Sequence, residues 1–189
     1  MDIVNGLKKF WKFLKKDTWQ SWVVSLILAF VIIKFIFFPL MSLVMGTELP
    51  LVVVESCSMY HKTNFNGWWD SNKEWYMKKN ISKRIFESFS FKDGLNKGDI
   101  ILVYGKDSYG LGDVIIFESS FRFPLIHRVV TEDPLGTKGD NNFDQLDVER
   151  EIDDDKVVGK AVARIPGLGW VKLIFFEAIK PDGQRGFCR

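Results

Sequence analysis

The chain has 189 residues, of which 47% are apolar, and a formal net charge of only +2. That length suits one domain with an appendage. So small a net charge carries no bulk electrostatic case for nucleic acid, and no nucleic-acid partner is expected.

Residues 1–17 open with MDIVNGLKKFWKFLKK, in which Lys8, Lys9, Lys12, Lys15 and Lys16 stand beside Phe10, Trp11, Phe13 and Leu14. A basic amphipathic segment of this kind can lie on an anionic membrane surface. Asp17 and Gln20 stand at capping-box spacing, so a new helix is expected to start there.

Residues 18–46 then form a spanning anchor. From Trp22 to Met45 there are sixteen Val, Ile, Leu or Phe and one charge, Lys34. About twenty apolar residues cross a hydrocarbon core as a helix. A mid-span lysine costs roughly 2.5–3.5 kcal/mol, and each strongly apolar residue returns about 0.3–0.6 kcal/mol, so insertion wins. Pro39 is expected to kink or end the regular helix. The run is too long for the apolar part of a cleaved secretion signal, it contains a lysine, and no A-x-A-like site follows. A retained anchor is therefore expected, ahead of a buried hairpin helix of a soluble protein. The lysines before it put the N-terminus in the cytoplasm by the positive-inside rule. Residues 47–189 then lie outside a cell membrane, or on the equivalent side of an endoplasmic-reticulum-like membrane.

This second part reads as mainly β. Leu51–Val54 is a short apolar run that ends in Ser56, Cys57 and Ser58, followed by Met59 and His61. "GDIILVYG" from Gly98 and "GDVIIFE" from Gly112 each open with a Gly-Asp turn signal and continue with β-branched residues. "PLIHRVV" and "KVVGKAVARI" are further strand candidates. Residues 62–97 interrupt this pattern with Trp68, Trp69, Trp75, Tyr76, Phe86, Phe89 and Phe91 among lysines and asparagines. They read as an insertion, part helix and part loop, with "MKKNISKRIFESF" its best helical stretch. It is either a satellite core or a membrane-interface paddle. The acidic run "DVEREIDDD" reads as a solvated loop. Cys57 and Cys188 can pair in an exported domain, but nothing in the pattern demands it.

In an extended strand, alternate residues share a face, so Ser56 and Ser58 point one way and Cys57 the other. A nucleophilic serine needs a base within hydrogen-bond reach and donors for the oxyanion. The chain has two histidines. His61 follows Ser58 closely, whereas His127 sits among apolar residues in a strand, where its charged form would need a partner. Asp140, Asp144 and Asp147 lie a short hairpin beyond His127 and offer an orienting carboxylate. With the histidines in unrelated contexts and no ligand spacing, no metal site is expected. A Cys57/His127 thiol hydrolase and a non-catalytic, membrane-tethered β domain that binds a partner are the competing readings.

Taken in chain order, the basic N-terminus, one spanning helix, Ser-x-Ser-Met at 56–59, the two Gly-Asp strands, His-Arg-Val at 127–129, Lys-Gly-Asp-Asn-Asn at 138–142 and "VVGKAVARIPGLGWVKL" resemble a type I signal peptidase. The resemblance covers most of residues 20–175 apart from the insertion. Bacterial members carry a lysine base where this chain has His127; histidine there resembles the archaeal and endoplasmic-reticulum branch, in which an aspartate assists. The resemblance implies a signal-peptidase-like β domain on one N-terminal transmembrane helix. Ser58 would be the nucleophile and His127 the general base. The Ser58 backbone N–H and the Ser56 hydroxyl would donate to the oxyanion, with Met59 beside them at the substrate. Asp140 matches one family aspartate. The second family position holds Leu146 here, and Asp147, one residue further, is preferred over Asp144. Cys57 replaces a usual glycine, and Tyr60-His61 stands where a residue followed by proline is common. The implied activity is removal of signal peptides from preproteins at the bilayer, without a cofactor, in the company of protein-export machinery.

Overall fold

The computed structural model describes residues 2–105, 108–181 and 185–189. The chain divides into two compact units, Met1–Val44 and Met45–Arg189.

In the first unit, helix α1 (Asp2–Leu14) carries the lysines on one side and Ile3, Val4, Leu7 and Trp11, all exposed, on another. The chain then breaks and restarts as α2 (Trp19–Ile32). The cap is Thr18, whose side chain accepts from the Ser21 N–H, and not the expected Asp17–Gln20 box. Asp17 instead accepts from the Trp22 indole at 3.2 Å. The helix runs on through a π-helical turn at Ile33–Phe37 into α3 (Phe38–Met45). The continuous stretch Trp19–Met45 is 27 residues long, and its most apolar 18-residue window has a mean hydropathy of 2.7, so it is apolar and long enough to cross a membrane. Pro39 does not end it. A proline lacks an N–H and crowds the carbonyl four residues back. The wider π turn just before it, with the Phe38 N–H bonded to Ile33 O, absorbs that conflict.

The second unit is built on a six-stranded antiparallel sheet in the order β1-β2-β6-β3-β4-β5. The strands are β1 (Leu51–Val53), β2 (Ile100–Tyr104), β3 (Val114–Phe117), β4 (Leu125–Glu132), β5 (Leu135–Lys138) and β6 (Val157–Ile165). Helices α4 (Phe65–Lys78) and α5 (Lys83–Glu87) lie between β1 and β2, and α6 (Trp170–Glu177) follows β6. Helix amounts to about 40% of the chain, so "mainly β" is too narrow a description: sheet and helix share it.

The sheet is covered on both faces, which is why β3 reads as an unbroken apolar run and is buried throughout. Val54, Met59, Leu95, Ile101, Val103, Val114 and Ile116 make one cluster, and Ile115, Phe117, Val129, Leu135 and Ile152 another. The two Gly-Asp signals form the same turn twice. Asp99 accepts from the Asn96 N–H at 2.8 Å and Asp113 from the Gly110 N–H at 3.0 Å. Gly98 and Gly112 both have positive φ and each abuts an aromatic ring, so a side chain at either would be strained and obstructed.

The insertion is a satellite core. Trp68, Trp69, Tyr76, Ile81 and Phe86 pack together with Val130 of β4, and Trp68 and Trp69 are only 3% and 4% exposed. Tryptophans buried this way are not presented to lipid, so the paddle reading of 62–97 gives way to the core. The helical stretch expected at 77–89 is also displaced. The longer helix is α4, which stops at Lys78, and Asn80 then takes a left-handed φ of 60° that a helix interior does not tolerate.

A serine, a histidine and a buried glutamate

β1 ends at Val53, and the last backbone bonds to its neighbour are Val54 N–H to Asp99 O and Gly98 N–H to Val54 O. Beyond that point the chain leaves the sheet and turns, with the Tyr60 N–H donating to Cys57 O at 3.1 Å. Ser58 therefore sits in a turn and not in an extended strand. Ser56 still shares its side: the two hydroxyl oxygens are 3.0 Å apart. Met59 pins the turn from below. It is 1% exposed in the sheet core, its carbonyl accepts from the Leu95 N–H, and its sulfur takes the Asp140 N–H. That burial corrects the expectation that Met59 contacts substrate; it is an anchor.

From above, Asn141 grips the same turn. Its N–H donates to Ser58 O at 2.7 Å and its side-chain amide to Cys57 O at 3.1 Å. On the third side the Cys57 sulfur is bonded to Cys188. No free thiol stands there to attack a substrate.

His127 and Arg128 are neighbours on β4, and adjacent strand residues leave opposite faces. His127 Nε2 lies 2.8 Å from Ser58 Oγ, and Nδ1 lies 2.5 Å from Glu149 Oε1. The hydrogen-bond network assigns Nδ1–H to the carboxylate, which leaves the Nε2 lone pair facing the serine. Glu149 is fully buried at the end of the short turn Asp147–Glu149. Oε1 also accepts from the Thr137 hydroxyl at 3.1 Å, and Oε2 from the Leu146 N–H at 2.8 Å. Both oxygens are thus fixed before any substrate arrives. Gly139 keeps the space beside the imidazole open, since a Cβ there would come within 2.9 Å of His127 Nε2.

The carboxylate on His127 is therefore neither of the two aspartates expected from sequence. Asp147 points into solvent, with Arg150 at 3.5 Å. Asp140 is buried but engaged elsewhere. It accepts from Arg128 Nε and Nη2 at 2.9 and 2.7 Å, from His61 Nε2 at 3.0 Å and from the Tyr76 hydroxyl at 3.3 Å. Burial alone would raise its carboxyl; the guanidinium and these hydrogen bonds outweigh that and hold it far below its usual range. Asp144 bonds the Trp75 indole at 2.7 Å, which lowers its carboxyl. Lys138 caps Gly139 O at 3.0 Å over the Trp75 and Tyr76 rings, and burial pulls its ammonium down to about 8.

Among the described residues no group of His, Cys, Asp and Glu is arranged to hold a metal ion. The residues that do converge are a hydroxyl, a base that touches it, and a carboxylate that orients the base. This is the requirement for nucleophilic attack on an acyl group. Sequence reasoning missed Glu149 because it lies inside the acidic run 147–155. The available signal was local: Val148 and Ile152 flank it with apolar side chains in a stretch otherwise fit for water. No family model matches the chain, and no curated protein matches it.

Proposed function

We propose that this chain is a membrane-anchored serine endopeptidase that removes signal peptides from exported preproteins. The observation that carries the reading is the unbroken line Ser58 Oγ, His127 ring, Glu149 carboxylate. His127 Nε2 takes the Ser58 proton as Oγ attacks the scissile carbonyl. Glu149 holds the ring in register through Nδ1–H and balances the imidazolium that forms. His127 then hands the proton to the leaving amine, and the mature protein departs. A water molecule, deprotonated by the same nitrogen, opens the Ser58 ester and releases the signal peptide. The Ser56 hydroxyl is close enough to Ser58 Oγ to donate to the developing oxyanion together with a backbone N–H.

Three features favour a preprotein as the substrate. The apolar span would hold the enzyme in the bilayer from which a signal peptide emerges. β1 is an edge strand that leads directly to Ser58, so an extended peptide can add beside it through main-chain bonds. The motif order along residues 20–175 resembles that of a type I signal peptidase. The catalytic unit is assigned to the extracytoplasmic side, with the Lys8–Lys16 segment cytoplasmic. The Cys57–Cys188 bridge suits such an oxidising compartment.

The test is cleavage of a preprotein by the full-length protein in detergent. Ser58→Ala and His127→Ala should each remain folded and lose at least about a thousandfold in kcat. Cleavage near the wild-type rate in either variant refutes the assignment. A wild type that reacts with a fluorophosphonate at Ser58 yet never cuts a preprotein would keep the nucleophile and discard the substrate class.

A further inference from the structure

Between Val54 and Ser58 the backbone has left the sheet, and the nucleophile turn is held by side attachments instead. Asn141 holds it through hydrogen bonds, Met59 through burial, and Cys57 through a covalent bond to Cys188 in the segment 185–189. That segment is itself anchored. The Gly186 N–H donates to Glu177 Oε2 at 2.7 Å, and its carbonyl accepts from Lys97 Nζ at 2.9 Å. Lys97, 4% exposed, also pairs with Glu177 at 2.8 Å. The Phe187 ring lies 4.4 Å from that of Trp170, whose indole donates to Lys97 O. Arg185 ties back to the carbonyls of Lys180 and Ala178. The bridge therefore links the residue before the nucleophile to a fixed block made of α6 and the turn that opens β2.

We infer that the segment 185–189, acting through Cys57–Cys188, is a positioning element for Ser58, so that the reactivity of the serine depends on the redox state of this bridge. The inference rests on the Ser58–His127 reading above, but not on the identity of the substrate. Its physical basis is the contrast between the two neighbours in sequence. Residue 58 must keep a 2.8 Å contact with an imidazole fixed in β4, while residues 55–57, outside the strand ladder, are held by Lys172 and Lys180 on Glu55, by Asn141 on Cys57 O and by the Cys57–Cys188 bond, the one covalent tether among these. A displacement of about 1 Å at a reacting group can cost about a hundredfold in rate. The main clusters of the sheet contain neither Cys57 nor the 185–189 segment, so the fold should outlast the bond. Reduction is a balanced exchange: a dithiol gives two electrons and two protons to the Sγ–Sγ bond, closes to its own disulfide, and leaves two cysteine thiols. An enzyme with this device would be fully reactive only after it reaches an oxidising compartment.

The experiment follows fluorophosphonate labelling of Ser58 in the full-length protein in detergent, together with its thermal melt. Oxidised wild type should label quickly. Dithiothreitol, Cys188→Ser or the double variant C57S/C188S should slow labelling by about tenfold to a hundredfold at a temperature where the melt still reports folded protein. With preprotein, kcat should fall and KM should hold. Reoxidation should restore the reduced wild type, and the double variant should ignore dithiothreitol. A further arm bridges the reduced thiols with dibromobimane, which recloses the loop through a longer link. Protein that then melts like the oxidised form but still labels slowly supports positioning. Fast labelling of the bimane-bridged or the reduced protein, with only the melt altered, overturns it and leaves the disulfide a staple. Absence of labelling in oxidised wild type overturns this inference and the activated serine together, whereas redox-dependent labelling without preprotein cleavage overturns only the substrate assignment.

Discussion

The second unit contains two histidines, and each is paired with a buried carboxylate: His127 with Glu149 and His61 with Asp140. Both rings are almost wholly removed from solvent, yet only one pair is arranged for chemistry. The difference lies in what else each member touches. Asp140 already has a guanidinium, Arg128, bound through two nitrogens. Its charge is already met by that guanidinium, and His61 adds one further hydrogen bond to it. Glu149 takes its other hydrogen bonds from a hydroxyl and a backbone N–H, so its charge is left to meet an imidazolium. The far nitrogens differ in the same sense. His127 Nε2 opens onto a half-buried serine hydroxyl. His61 Nδ1 is buried without a partner, and the ring lies flat on Trp68 with centroids 3.7 Å apart. On the proposed reading, then, the second contacts of a histidine–carboxylate pair decide whether it serves catalysis or architecture.

The sharpest way to break this comparison is to neutralise the two carboxylates in turn. Glu149→Gln keeps the shape but turns one of two accepting oxygens into a donor, so the His127 tautomer is no longer fixed, and should lower kcat by about a thousandfold to ten thousandfold with the fold intact. Asp140→Asn leaves Arg128 buried beside a neutral amide. It should cost about 3–5 kcal/mol of stability, while each molecule that remains folded turns over near the wild-type rate. Denaturant unfolding and active-site-titrated kinetics on both variants separate the outcomes. A stable but inactive Asp140→Asn beside an active Glu149→Gln would reverse the two roles.

How far the sequence revealed these roles follows from where each signal sits. The candidate residues Ser58 and His127, the long apolar helix and the principal strands announce themselves by local pattern: an apolar run that stops at hydroxyls, a histidine alone among β-branched residues, a long apolar stretch. Asp140 was recognisable as important, through the Lys-Gly-Asp-Asn-Asn group, but not for the right reason. Whether it meets His127 or Arg128 depends on which face of β4 the following loop crosses, and neighbours in sequence occupy opposite faces. Glu149 was hidden because charge composition argues for solvent, whereas burial here is bought by three specific donors from Thr137, Leu146 and His127 that no window of sequence brings together. The aromatic insertion misled in the opposite direction. Tryptophans among lysines suit a membrane interface, but α4 turns Trp68 and Trp69 inward and leaves the lysines outside.

Acidity gives a second handle on the architectural pair. The folded value of Asp140 lies below its unfolded value of about 3.9. Its contribution to stability is therefore complete above about pH 4 and drains away as pH falls toward the folded value. Melting temperature should fall steeply in wild type below about pH 4, and Asp140→Asn, less stable at neutral pH, should show a shallower acid slope. Equal slopes would mean that Asp140 is not the group whose protonation loosens the unit. Lys138 gives the opposite sign at the alkaline end. Burial lowers it from 10.5 to about 8, so between those values the unfolded chain holds the extra proton and stability rises with pH. Lys138→Met should abolish that rise, as read by melts from pH 7 to 10.

The smallest effect should come from His61 itself, and it bears most directly on the contrast between the pairs. His61→Gln retains an amide N–H that can reach Asp140 but loses the stack on Trp68. Since Arg128 continues to neutralise Asp140, the loss should be limited to a hydrogen bond of altered geometry and one ring contact, about 1–2 kcal/mol together. Turnover per folded molecule and the pH profile of kcat/KM should not move, because in the proposed mechanism the proton passes between Ser58 and His127, and His61 touches neither. The measurement is that pH profile, taken on His61→Gln and wild type in the same detergent. A shifted acidic limb in the variant would show that protons on His61 are felt at Ser58, and the two pairs would then have to be treated as one coupled system.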